Sequence, residues 1–153
     1  MSTTPLNVFE DAPQQTRKLT LERFGVLYAR IALGVAFLSA VASRFGIWDR
    51  QLDLEHFAHF ISFTAKVNSF MPAFTIPFLA WAATIAEISL GTLLITGLWP
   101  RKVAFGASIL LALFAIAMAI SLGLERPMDY SVFSASAGAF LLAVCSPPES
   151  QRS

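Results

Sequence analysis

Four apolar runs, each close to the thickness of a bilayer, fill most of this 153-residue chain and leave few folds open to it. The first runs from Phe24 to about Ser43 and is interrupted by Arg30, and the second runs from Pro77 to Gly97 and is interrupted by Glu87. The third, Val103 to Gly123, carries no charge, and the fourth, about Met128 to Cys145, is shorter and rich in small residues. At a rise of 1.5 Å per residue these four runs make helices of roughly 27 to 32 Å, against a hydrocarbon core of ~30 Å. A membrane-spanning β-barrel needs apolar and polar residues in strict alternation, and that pattern is absent. Composition agrees, with 56% hydrophobic and 14% charged residues. The expected fold is all-α: a polytopic membrane protein built as a four-helix transmembrane bundle.

The connections predict which helices are neighbours. "GLWPRK", residues 97 to 102, turns the chain within a few residues, with Gly97 suited to a helix C-cap and Pro100 to the next helix start. The second and third spans therefore form an antiparallel hairpin, and "GLERPMD", residues 123 to 129, does the same for the third and fourth. The first connection is too long and too charged for a turn. Within it, Leu52, Leu54, Phe57, Phe60, Ile61 and Phe63 fall mostly on one helical face, which predicts an extra amphipathic helix lying across the outer end of the bundle. Three segments result: a flexible polar stretch over 1–23, the membrane domain over 24–145, and a short tail over 146–153. The first span has no cleavage pattern after it and is expected to stay as an anchor.

Basic residues near the helix ends give an orientation. Arg17, Lys18, Arg23, Arg101, Lys102 and Arg152 fall on one side, and Arg44, Arg50, Lys66 and Arg126 on the other. The positive-inside rule then puts both termini in the cytoplasm, the amphipathic helix in the periplasm, and the protein in a bacterial cytoplasmic (inner) membrane. Trp48, Trp99 and Tyr130 lie near span ends, where amphipathic rings favour the interface.

Two charges remain inside the spans. Glu87 stands about 15 Å from either end of its run, near the midplane, and Arg30 about 9 Å inside the first span. An isolated ion at this depth is costly, so the expectation is that Arg30 pairs with Glu87. Thr84, Glu87 and Gly91 share one face, as do Arg30 and Gly34, so each charge sits beside a small residue that permits close helix approach. Arg44 returns to within about 40° of the Arg30 face and adds a second arginine at the outer mouth. Arg30, Glu87, Thr84 and Arg44 are thus the candidate intramembrane polar or ligand-binding group. Two roles stay open: a buried ion pair that fixes how two helices pack, or a polar floor for a ligand, a quinone headgroup or a proton.

Other chemistry is thinly represented. His56 and His59 share a face near Asp53 and Glu55, but two histidines on an outer helix are more often solvated than metal-ligating, and no metal is expected. Cys145 is the only cysteine, so the chain has no Cys-x-x-Cys pair for thiol redox work. A phosphate-binding glycine loop, a nucleophile elbow and a basic nucleic-acid stripe are all missing, so nucleic acid is not an expected partner.

The segments "LYARIALGVAFLSAVASRFG" and "AEISLGTLLITGLWPRKVAFGASILL" together resemble the DoxX family of small four-helix membrane proteins. The resemblance covers roughly residues 24 to 145. It rests on Arg-x-x-x-Gly, on the basic residue closing the first span (Arg44), and on Glu-x-x-x-Gly followed by Gly and a basic turn. It implies a membrane subunit of a quinone-linked respiratory or oxidative-stress oxidoreductase, in the manner of thiosulfate:quinone oxidoreductase. A partner oxidoreductase subunit or a second copy would then join the lipid bilayer as a contact, and quinone would be the cofactor to consider. The alternative is a non-enzymatic scaffold or assembly factor. Some relatives carry paired cysteines, and this chain does not.

Overall fold

The computed structural model describes residues 11–48, 50 and 54–146. Helix α1 spans Asp11–Arg44, α2 Leu54–Val67, α3 Ile76–Thr96, α4 Pro100–Leu122, α5 Glu125–Asp129 and α6 Val132–Cys145, with one 3₁₀ turn at Ala73–Thr75. Among the described residues there is no strand. The chain folds as the expected helical bundle. Three helices have membrane-spanning length and composition, over Thr20–Arg44, Ala73–Thr96 and Pro100–Leu122. The fourth, α6, is apolar but short: its 14 residues give about 21 Å, less than the ~30 Å hydrocarbon core.

The helix ends follow from local chemistry. Gly97 closes α3 in the left-handed conformation (φ 75°) and its N–H donates to the Leu93 carbonyl at 2.9 Å. Pro100 then opens α4 at a position where a missing N–H costs nothing. The α4 to α6 connection departs from a simple turn, because residues 125–129 wind into the one-turn helix α5 and α6 begins only at Val132. At the other end α1 starts at Asp11, well before Phe24, so the helix runs through part of the stretch expected to be flexible. Residues 1–10 and the tail 147–153 lie outside the described residues.

Two helix pairs, α1 with α3 and α4 with α6, have the most extensive contacts and pack together into the bundle. Small residues set both. A Cβ on Gly34 would fall 2.9 Å from the Gly91 carbonyl oxygen, and one on Gly91 would fall 3.0 Å from the Gly34 carbonyl oxygen. The α1 and α3 backbones therefore touch at this point, as GxxxG-like contacts allow. In the second pair, Ser108 Oγ donates to the Ser136 carbonyl and Ser136 Oγ to the Ser108 carbonyl, both at 3.0 Å. Leu94, Ala104, Ala107 and Ala139 are fully enclosed where the pairs meet. Large apolar side chains point the other way: Phe78 is 75% and Ile120 68% exposed, as lipid-facing residues must be.

Helix α2 is the amphipathic element expected between the first two spans. Its buried face is Phe57, Thr64 and Val67, with Phe60 and Ile61 half-buried, whereas Phe63 is exposed and does not belong to that face. Leu52 lies outside the described residues. The helix packs on α1, α3 and α4 and so covers one end of the bundle.

Candidate functional site

Glu87 pairs with Arg44, not with Arg30. Arg44 Nη2 donates to Glu87 Oε1 at 2.7 Å, and Arg44 Nη1 donates to Thr84 Oγ1 at 3.2 Å. Thr84 in turn donates to the Ala80 carbonyl at 2.8 Å. Thr84, Glu87 and Gly91 are all buried on one face of α3, with Glu87 only 2% exposed. The Arg44 side chain is 12% exposed. Arg30 lies elsewhere: its Nε donates to the Leu94 carbonyl at 3.0 Å and its Nη2 to the Ile95 carbonyl at 3.3 Å.

Helix direction explains the exchange of partners. With Gly34 against Gly91, the antiparallel register places Leu38 level with Glu87, so Arg30 lies about 12 Å to one side of it and Arg44 about 9 Å to the other. Height alone hardly separates the two candidates. Every Cα–Cβ bond in a helix tilts toward its N-terminus. Arg44 on α1 therefore leans inward from the α2 end, and Glu87 on the antiparallel α3 leans outward to meet it. Arg30 leans away from Glu87, toward the C-terminus of α3. There it finds two of the last four carbonyls of that helix, which have no intrahelical donor and carry the negative end of the macrodipole. Depth counted from the ends of two apolar runs supplied neither the register nor the lean, and that is why it paired the wrong arginine.

An aromatic ring covers Arg44 and joins a cluster of further rings, and sequence reasoning missed this role. The Arg44 guanidinium carbon lies 3.8 Å from the centre of the Phe60 ring, a cation–π contact made from α2. Phe57 stacks on Phe45 at 5.3 Å and meets Trp81 at 4.5 Å. The ring spacing in "FAHFISF" was the available signal, since Phe57 and Phe60 were already on the predicted inner face of α2. Arg44 is thus held between a carboxylate on one side and an aromatic ring on the other. Glu87 Oε2 is buried and accepts no hydrogen bond among the described residues. The site consequently offers one closed ion pair and one further acceptor under an aromatic cover.

The remaining candidates are apart from this cluster. His59 is exposed on α2, and among the described residues no group of three or more His, Cys, Asp or Glu side chains could hold a metal ion. Asp53 lies outside the described residues, and Cys145 is exposed at the end of α6.

A family model described as methylamine utilisation protein MauE matches residues 22–131, the greater part of the chain. The chain belongs to the MauE family. This corrects the resemblance to DoxX: both readings make it a small integral membrane protein, but the family that matches is MauE. The MauE match runs from within α1 to the start of α6, so Arg30, Arg44, Thr84 and Glu87 all fall inside it and Ser136 falls outside. No curated protein and no solved structure gives a match.

Proposed function

We propose that this MauE-family chain is a non-catalytic membrane accessory subunit of a quinone-linked redox system, and that Arg44, Thr84 and Glu87 hold the headgroup of a membrane-soluble quinol. The observation that carries the reading is Glu87 Oε2, a buried acceptor without a donor among the described residues, next to an oxygen that Arg44 already neutralises. An unpaired buried acceptor costs free energy. A hydroxyl on an apolar ring supplies the missing donor and tolerates the aromatic surroundings of Phe57, Phe60 and Trp81. When bound, such a molecule would bring electron-carrying chemistry; this chain's residues would hold and orient it and exclude water. The family description supports a place beside enzymes of methylamine utilisation. A partner protein would provide the redox centre, and an inner-membrane location with both termini cytoplasmic remains the orientation favoured by the basic residues.

A second reading is supported by where Arg44 reaches. Its guanidinium contacts Glu87 and Thr84 on α3 and Phe60 on α2, which suits a lock between α1, α3 and α2 in an assembly scaffold. The experiment is a comparison of wild type with Arg44→Met combined with Glu87→Gln. Protein purified in mild detergent is analysed for extracted quinones, and each gene is tested for function in cells. Quinone retained by the wild type and lost by a folded double variant, together with lost function, supports the headgroup site. A folded double variant that restores function overturns it in favour of the scaffold.

A further inference from the structure

Arg30 leaves a charge to be accounted for. Its two hydrogen bonds go to the Leu94 and Ile95 carbonyls, and among the described residues it has no carboxylate partner. Two neutral carbonyls and a fraction of a helix dipole do not neutralise a whole cation inside a membrane span. The guanidinium also lies against the α3–α4 turn, where a Cβ on Gly97 would fall 2.9 Å from Arg30 Nη1. Nη1 makes no hydrogen bond to the described residues and is not enclosed.

The surroundings add positive charge. Just past Gly97, the first turn of α4 carries Arg101 and Lys102 and no acidic residue, at the end of the helix where cations are disfavoured. Arg101 is exposed and has no salt bridge among the described residues. Arg23 precedes Arg30 by two turns on the same α1 face, is exposed, and likewise has no salt bridge among them. Tyr28 and Trp99, 77% and 58% exposed, flank this end with the amphipathic rings that settle at headgroup level.

We infer that this end of the bundle is a binding site for the phosphate of an anionic phospholipid, received by Arg30 Nη1 and Arg101, with Arg23 and Lys102 adding charge. Guanidinium groups match phosphate geometry, and basic pockets between membrane helices bind acidic headgroups. The lipid supplies the counter-charge that the described residues do not give Arg30 and Arg101, and it ties α1 to the α3–α4 turn. The inference is independent of the quinol reading, which concerns the opposite end of α1.

The test is thermal unfolding of the full chain in a neutral detergent, with added phosphatidylglycerol, phosphatidylcholine or inorganic phosphate. Phosphatidylglycerol is expected to raise Tm saturably by a few degrees and phosphatidylcholine to leave it unchanged. Arg30→Met should lose that rise but is also expected to lower the basal Tm. Arg23→Gln combined with Arg101→Gln, both surface positions, keeps the test clean: the basal Tm should hold and the phosphatidylglycerol rise should shrink severalfold. Equal shifts with both lipids, or a full rise in the surface double variant, would overturn the inference. A rise reproduced by inorganic phosphate alone would overturn the lipid as its source.

Discussion

Glu87→Gln leaves Arg44 under its aromatic cover with only neutral acceptors, and breaking a buried pair from one side costs about 3 to 5 kcal/mol in soluble proteins. In a membrane the loss is smaller, because separated helices also find polar partners. Arg44→Met is expected to be comparably destabilising, and the double change should recover much of the stability, as read by thermal unfolding in detergent. Losses that simply add would show that the two side chains do not depend on each other. Arg30→Met has a different signature: it removes two charge-assisted bonds to the end of α3, worth about 1.5 to 3 kcal/mol each, and Glu87→Gln should not rescue it. A rescue by Glu87→Gln would restore the pairing expected from sequence. That expectation named Arg30, Glu87, Thr84 and Arg44, of which only the last three come together, and it placed Arg30 with Gly34 and Thr84 with Glu87 and Gly91 on shared helix faces. It could not choose between the arginines, since Arg23, Arg30 and Arg44 recur every seven or fourteen residues on one face. The choice depends on the offset between α1 and α3 and on the lean of side chains in antiparallel helices.

Helices of this kind were legible because lipid imposes a long apolar run on each span, and their ends because Gly97 and Pro100 have few other uses. The shape of α5 and the late start of α6 were not, since a turn of five residues in "GLERPMD" is decided by packing on α4 and α6. Glycine spacing along α1 and α3 was read as permitting close approach, and the structure turns that into a sharp contrast between two positions. Gly34→Ala drives a Cβ to 2.6 Å from Ile95 Cγ1 and 2.9 Å from the Gly91 carbonyl oxygen, and the second of these cannot swing aside. The expected cost is about 1 to 3 kcal/mol. Gly25→Ala on the same helix meets nothing within 4 Å and should be neutral or stabilising by up to ~1 kcal/mol. Equal effects of the two changes on Tm would mean that α1 and α3 do not meet through their backbones. On α2, the burial of Phe57, Thr64 and Val67 predicts cysteine accessibility with a period near 3.6 residues along 55–67. Uniform labelling would remove α2 from the end of the bundle.

Among the described residues many large apolar side chains turn outward, while Gly34, Gly91, Thr84, Glu87 and Ser108 lie between helices, the arrangement that a bilayer rather than water selects. Orientation within that bilayer depends on ten basic residues near the span ends, six on the side of the termini and four on the side of α2. The bias is modest, but the two arginines inside α1 sharpen what it means. With the termini in the cytoplasm, Arg44 is the outer arginine, leaning inward to a carboxylate beneath the α2 cover, and Arg30 is the inner one, leaning toward the basic α3–α4 turn. The inner end then carries Arg23, Arg101 and Lys102 in the leaflet where anionic headgroups attract them, worth about 1 kcal/mol per basic residue near the surface. Reversal would put those residues outside and α2 in the cytoplasm. A reporter fused after Ser153 should therefore signal from the cytoplasm and one inserted near Gln51 from the periplasm. Replacing Arg101 and Lys102 with glutamine, combined with the same change at Arg23, should raise the fraction of molecules with inverted reporters, because it removes three of the six charges that favour cytoplasmic termini. A periplasmic signal from the C-terminal fusion of the unaltered chain would reverse the orientation and move the proposed lipid contact to the other leaflet, while leaving the pairing of Arg44 with Glu87 intact.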